Sequence, residues 1–153
     1  MLAKKFALGF GIAVLLPMVV HYGVSTFNPA PKWRNYYQYE YYNNYEEEKN
    51  ASPEEKAKKQ AEIQKKDEDY RKAQNSFGKS LFLVAIPVGL AAIIFGSLTA
   101  VQAIGTGLMF GGIFTIIDGY CWYWSELQDW MRFVSLLVAF IVLIYIGYRK
   151  MAK

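Results

Sequence analysis

The sequence lacks charge over a long stretch: the 38 residues from Ser80 to Ile117 contain no Asp, Glu, Lys, Arg or His. A run of this length and apolarity is incompatible with an ordinary soluble chain and is typical of a membrane-spanning one. A single span takes roughly 20 helical residues at about 1.5 Å per residue, so the run holds two spans. Its most polar part, residues 97–102, marks the turn between them.

The sequence also lacks cysteine pairs and the common catalytic and metal-binding motifs, which argues against several classes of function. Cys121 is the single cysteine, which excludes an intrachain disulfide. The sequence contains no HExxH motif, no Cys/His metal spacing, no glycine-rich phosphate loop and no nucleophile–base pair. We therefore expect no catalytic residue, no bound metal and no other cofactor.

The two tails of the chain are basic and contain no acidic residue. They hold Lys4, Lys5, Arg149, Lys150 and Lys153. These five positive charges exceed the net charge of +4, so the rest of the chain sums to −1. Basic ends that flank apolar helices are typical of contact with anionic lipid. The expected contact is the lipid bilayer and not nucleic acid.

Four apolar segments are predicted to be transmembrane helices, which gives an all-α, polytopic membrane protein. The predicted spans are residues 6–27, 77–98, 101–121 and 131–148. The chain divides into a tail and first span (1–27), a hydrophilic region (28–76), and the last three spans with the basic C-terminal tail (77–153). The N-terminal region also fits a signal peptide with small residues at Gly23 and Ser25, but no clean Ala-x-Ala site follows. We expect an uncleaved helix.

Within the hydrophilic region, two helical arms are predicted, over residues 31–49 and 53–76. In the first arm, aromatic residues recur every four positions and mark one helix face: Trp33, Tyr37, Tyr41 and Tyr45. The second arm begins with a capping box made by Ser52 and Glu55. The arms are expected to pack as an extramembrane antiparallel helical hairpin between spans one and two. A charged, disordered linker is the alternative.

The expected location is the plasma (cytoplasmic) membrane, with both termini in the cytoplasm because the tails are basic. The hairpin then lies on the opposite side. The tryptophans of the chain all fall on the hairpin side: Trp33, Trp122, Trp124 and Trp130. With Tyr37 and Tyr41 they form a predicted aromatic face at the headgroup level, which anchors the protein or docks a partner.

Two ionisable residues of the predicted spans are candidates for a polar site. His21 lies within the first span, and Asp118 lies near the outer end of the third. Such groups are costly inside a membrane and are often functional. A His–Asp pair can relay a proton or hold a substrate group. The alternative is a neutral histidine bonded to a neighbouring helix and an aspartate hydrated at the interface.

Pro17 and Pro87 fall near mid-membrane in adjacent spans. Each proline removes a backbone donor and frees the carbonyl four residues earlier. Freed carbonyls at this depth build ion or substrate sites in some transporters, whereas ordinary kinked packing is the alternative.

Small residues recur at four-residue spacing in spans two and three. They are Ala85, Gly89, Ala92 and Gly96 in span two, and Ala103, Gly107 and Gly111 in span three. Small residues let helix backbones approach closely in lipid. We expect these two spans to pack together through them, and span four to lie against lipid.

The expected function is non-enzymatic: an accessory or scaffold subunit of a membrane assembly, whose hairpin and aromatic face contact a protein partner. Self-association into a homo-oligomer is a further option. The first alternative is a small transporter or channel subunit that uses His21 and Asp118. The second is an insertase, because a helical hairpin between two spans resembles the arm of YidC-type insertases in architecture. That resemblance implies a cytoplasmic hairpin.

Overall fold

The computed structural model describes residues 2–37 and 52–151, and all regular structure within these ranges is helical. The helices are α1 (Leu2–Phe27), α2 (Trp33–Tyr37), α3 (Pro53–Leu98), α4 (Gln102–Tyr123) and α5 (Asp129–Met151), with a 3₁₀ turn at Trp124–Glu126. Four of them, α1, α3, α4 and α5, are long and apolar enough to cross a membrane. The prediction of an all-helical chain with four such helices is confirmed.

The second predicted arm and the second predicted span form one helix, α3, of 46 residues. Its start has the predicted capping box: the Ser52 hydroxyl accepts from the Glu55 amide, and the Glu55 carboxylate accepts from the Ser52 amide at 2.9 Å. The backbone and side-chain hydrogen bonds from Ser52 hold the pKa of Glu55 below its usual value of 4.5. Pro87 lies inside α3 without ending it.

Helix α4 packs along α3 through glycines that face one another. A methyl group built at Gly112 lies 2.5 Å from the carbonyl oxygen of Gly89, and one built at Gly105 lies 2.5 Å from that of Gly96. No side chain fits at these distances, so the two backbones are in direct contact. Gly119 continues the series on α4, seven residues after Gly112, which is about two helical turns.

The opposite face of α4 packs against α1. A methyl group at Gly107 lies 2.6 Å from the carbonyl oxygen of Gly9, and one at Gly111 lies 3.1 Å from Cβ of Leu16. Ala103 is also on this face, since a methyl group at Gly9 lies 3.0 Å from its carbonyl oxygen.

The structure therefore corrects the expected partner of these small residues. Spans two and three do pack closely, but α4 uses Gly105 and Gly112 for that contact. Ala103, Gly107 and Gly111 contact span one. A helix turns about 100° per residue, so positions 105 and 107 lie on nearly opposite faces. Four-residue spacing identified a packing face correctly but did not identify its partner helix.

Helix α5 lies at the edge of the bundle. Among its described side chains only Ile146 is buried. An apolar cavity of about 510 Å³ separates α5 from α3 and α4, between Phe140 on one side and Ile116 on the other. The hydroxyls of Tyr120 and Ser135 form a hydrogen bond across this contact. The exposed position of α5 agrees with the expectation for span four.

The first predicted arm is described only at its start. Helix α2 has five residues, and the ring of Tyr36 packs edge-on against Tyr70 of α3 with 5.3 Å between centroids. Tyr41, Tyr45 and the rest of that arm lie outside the described residues. The antiparallel hairpin, like the disordered alternative, thus stays a prediction.

Candidate functional site

The structure brings His21 and Asp118 together although they are 97 residues apart in the chain. Nδ1 of His21 in α1 lies 2.9 Å from Oδ2 of Asp118 in α4. Their side chains are 23% and 29% exposed, so neither is sealed inside the bundle. When Nδ1 carries the proton, the imidazole donates to the carboxylate and joins the two helices.

Aromatic rings hold the imidazole in place. The ring of His21 lies 5.3 Å from that of Phe77 and 5.7 Å from that of Trp122, and these two rings pack edge-on at 5.0 Å. Phe77 is fully buried. Gly78 makes the arrangement fit, since a methyl group there lies 2.6 Å from the carbonyl oxygen of Trp122. Residues of α1, α3 and α4 thus meet around one polar pair.

A groove of about 420 Å³ begins at this pair, and its lining residues within the described ranges belong to α1 and α4. The lining residues are Val14, Pro17, Met18, His21, Tyr22, Phe114 and Asp118. The polar side chains lie at the end nearer the predicted interface, and Val14 and Phe114 lie deeper. Since no residue of α3 lines it, the groove faces away from the packed centre of the bundle.

The two prolines do not share a site. Pro17 lines the groove, and its missing amide leaves the carbonyl of Ala13 without the usual helical donor. Pro87 is exposed on α3 and lines neither the groove between α1 and α4 nor the cavity beside α5. Both helices continue through their prolines.

Asn28 fastens the end of α1 to α3. Its Nδ2 donates to the carbonyl oxygen of Ser76 and to the hydroxyl of Ser80, at 3.0 Å each. The Ser80 hydroxyl in turn donates to Ser76 at 3.1 Å. Nothing near Asn28 in the sequence identifies a partner 48 residues away.

The tryptophans divide into two groups. Trp122 is half-buried and packs edge-on against Phe77. Trp33, Trp124 and Trp130 are exposed. The guanidinium of Arg132 lies 4.5 Å above the Trp124 ring and donates to the Trp124 carbonyl oxygen at 2.6 Å. Tyr37 ends α2, and Tyr41 lies outside the described residues.

Several residues of the site carried no signal of their own in the sequence. Phe77, Tyr22 and Phe114 look like ordinary apolar positions of predicted spans, and Trp122 was expected only on the interfacial aromatic face. The packing alone places them beside His21 and its groove. Residues 2–37 and 52–151 contain no group of three or more His, Cys, Asp and Glu side chains suited to a metal. The site is a single acid–base pair at the end of an apolar groove.

Comparisons with protein-family models, with curated proteins and with solved structures gave no match. Function is therefore argued from the geometry of this chain. The pair and its groove can hold a proton or a small polar group, whereas the helix α3 offers a projecting surface.

Proposed function

We propose that the chain is a non-enzymatic accessory or scaffold subunit of a membrane assembly, and that the hydrophilic half of α3 is its docking element. The continuity of α3 carries this proposal, because one helix runs from Pro53 through the span to Leu98. Residues 53–76 extend about 36 Å beyond the span at 1.5 Å per residue. A partner bound there is coupled directly to the membrane bundle.

The surface of this arm supports a docking role. Most of its side chains are exposed, and they carry both signs of charge, as in the pair Glu68 and Lys72 at 4.0 Å. Tyr36 packs against the arm at Tyr70, and Asn28 donates to Ser76 where the arm meets the predicted span. Exposed ion pairs contribute little to stability, so the charged surface is better explained by a partner.

We further propose that both termini are cytoplasmic in the plasma membrane and that the arm lies outside. The test is cysteine labelling of Ala57→Cys in a Cys121→Ser background, with a membrane-impermeant maleimide on whole cells. Labelling of intact cells is expected. Labelling only after permeabilisation would reverse the topology and favour the architecture of a YidC-type insertase.

The docking proposal is tested by crosslinking the native protein in its membranes and identifying the partner by mass spectrometry. Two exposed glutamates give a matched pair of variants: Glu62→Lys on the arm and Glu126→Lys between α4 and α5. Deletion of residues 43–67 and Glu62→Lys should both reduce recovery of the partner, and Glu126→Lys should not. If the deletion variant recovers every partner, the arm is a linker and the proposal fails.

A second candidate function is a small transporter or channel subunit, favoured by the His21–Asp118 contact of 2.9 Å beside an open groove. In this role the pair carries a proton or a substrate group across part of the membrane. Proteoliposomes with an imposed pH gradient provide the test. A pH-dependent flux that His21→Gln abolishes would support it, and absence of flux in the unmodified protein would remove it.

A further inference from the structure

We propose that the groove between α1 and α4 binds a lipophilic amine: a compact protonated amino group on an apolar body, with Asp118 as the residue that receives the ammonium. This inference rests on the second candidate function for its site and names the class of substrate. It concerns binding, which is measurable whether or not transport occurs.

Charge favours a cation in the groove. Within the described residues, His21 is the only basic side chain in ion-pair contact with Asp118, and no Lys or Arg lines the groove. With a neutral imidazole, the pair carries one negative charge. The second oxygen of Asp118 and Nε2 of His21 receive no hydrogen bond from a residue of the described ranges. An ammonium group supplies a donor for the second oxygen of Asp118, whereas an anion would meet an unscreened carboxylate.

The walls of the groove favour an organic cation over a metal ion. Tyr22 and Phe114 line it, and aromatic faces attract ammonium groups. Hard metal ions need about six oxygen ligands. Among the residues that the structure describes, Asp118 is the only carboxylate in the lining, so a bare ion would be poorly coordinated.

The depth of the His21–Asp118 pair below the end of α1 limits the size of the ligand's polar head group. His21 lies six residues before the end of α1, which is about 9 Å below that end at 1.5 Å per residue. A phosphate-bearing head group would have to leave the interface to reach this level, whereas a compact amine would not. Val14 lies about 10 Å deeper again, so an apolar body extends towards the membrane centre along Val14 and Met18.

Binding is tested with full-length protein in phosphatidylcholine nanodiscs by isothermal titration calorimetry. The probes are decylammonium, decanol, decanoate and decyltrimethylammonium, which share one chain and differ in the head group. Saturable binding of one decylammonium is expected, about tenfold tighter than decanol or decanoate because only the ammonium forms a charge-assisted hydrogen bond. The trimethylated probe should bind about threefold to tenfold more weakly than decylammonium because it has no N–H donor.

Three variants locate the site. Asp118→Asn should lose the preference for decylammonium over decanol, and Asp129→Asn, at an exposed carboxylate outside the groove, should keep it. Met18→Trp fills the groove, leaves both members of the polar pair in the sequence, and should weaken decylammonium binding even if Asp118→Asn fails to fold. Equal affinity of the unmodified protein for decylammonium and decanol, or an unchanged decylammonium affinity in Met18→Trp, would overturn the proposal. Proton flux is measured separately, so failure of binding and failure of transport are distinguishable.

Discussion

Helices α4 and α5 are nearly equal in length, with 22 and 23 residues, but α4 lies at the centre of the bundle and α5 at its edge. The mean hydropathy of the most apolar stretch is 1.3 for α4 and 2.2 for α5, whereas 44% and 6% of these stretches are buried. The less apolar helix is therefore the more buried one. Because lipid is as apolar as leucine, hydropathy brings a helix into the membrane but does not select its neighbours.

Glycine content explains the difference. Helix α4 contains Gly105, Gly107, Gly111, Gly112 and Gly119, whereas α5 contains Gly147 alone. The glycines of α4 lie on two faces and allow two helices to approach its backbone. Helix α5 offers bulky, exposed side chains such as Phe133 and Phe140, which pack as well against lipid as against protein.

The largest expected change in stability follows from adding one methyl group to α4, and the same change in α5 is the control. Gly112→Ala should lower the free energy of unfolding by about 2–3 kcal/mol, because the new Cβ would overlap the Gly89 backbone. Gly147→Ala meets nothing within 4 Å and should be neutral or stabilising by up to about 1 kcal/mol. Unfolding in detergent, followed by circular dichroism, measures both. Equal stability of the two variants would refute the role of glycine in placing α4.

The next effect concerns the polar contact of α4 with α1. His21→Leu removes the donor to Asp118 and should cost about 1–2 kcal/mol, because a partly buried carboxylate loses its partner. His21→Gln keeps a donor and should recover most of the loss. The same unfolding measurement compares them. If leucine and glutamine behave alike, packing against Phe77 and Trp122 holds α1 in place and the hydrogen bond does not.

A smaller effect is expected where α5 contacts α4. Ser135→Ala removes the hydrogen bond with Tyr120 and should cost about 0.6 kcal/mol, an average value for polar contacts between membrane helices. Thr106→Ala is the control, since that exposed hydroxyl bonds only to the Gln102 carbonyl of its own helix. A loss from Ser135→Ala as large as that from Gly112→Ala would mean that α5 belongs to the packed centre.

The smallest effect on the stability of the bundle is expected from loss of the helix cap at the N-terminal end of α3. This prediction compares the arm, which should open, with the membrane-spanning part, which should stay folded. The folded pKa of Glu55 is lowered, so the capping contribution is present above the usual pKa of 4.5 and is lost as pH falls through the lowered value. Relative to the intrinsic exchange rate at each pH, the protection of the amide hydrogens of residues 54–58 should decrease over this range while the bundle stays folded.

Ser52→Ala provides the control for this titration. It removes the cap and should raise exchange about fivefold near pH 7, with a smaller difference from the unmodified protein at low pH. Comparison of the two proteins at each pH cancels the intrinsic pH dependence of exchange. A difference that stays constant through acidification would exclude Glu55 as the titrating group.

Much of the architecture was predictable because it depends on local chemistry. The uncharged run from Ser80 predicted two spans, and Ser52 with Glu55 predicted the start of α3. His21 and Asp118 stood out because charge is scarce in the membrane, and the four-span topology put them in the same half of the bilayer. Their direct contact depends on helix rotation, which the sequence pattern did not determine.

The partners of α4 were less predictable. Gly105 and Gly112 are seven residues apart, and four-residue spacing drew attention to Gly107 and Gly111 instead. Each pair of glycines is equally suited to close packing. Only the assembled bundle shows that Gly105 and Gly112 face α3, whereas Gly107 and Gly111 face α1. Asn28 was missed for a similar reason, because its partners lie on another helix.

The unbroken course of α3 gives the molecule a mechanical property. If the predicted span begins at Phe77 and the helix pivots there, the arm is a lever about 36 Å long, and the part down to Gly89 is about 18 Å long. A tilt of about 10° moves the tip of the arm by about 6 Å and displaces Gly89 by about 3 Å in the opposite direction. The backbones of Gly89 and Gly112 are too close for a methyl group to fit between them. A displacement of this size would therefore either separate α3 from α4 or make their backbones clash. A pull on the arm therefore reaches the Gly89–Gly112 contact along one continuous helix, in which Pro87 removes one backbone hydrogen bond.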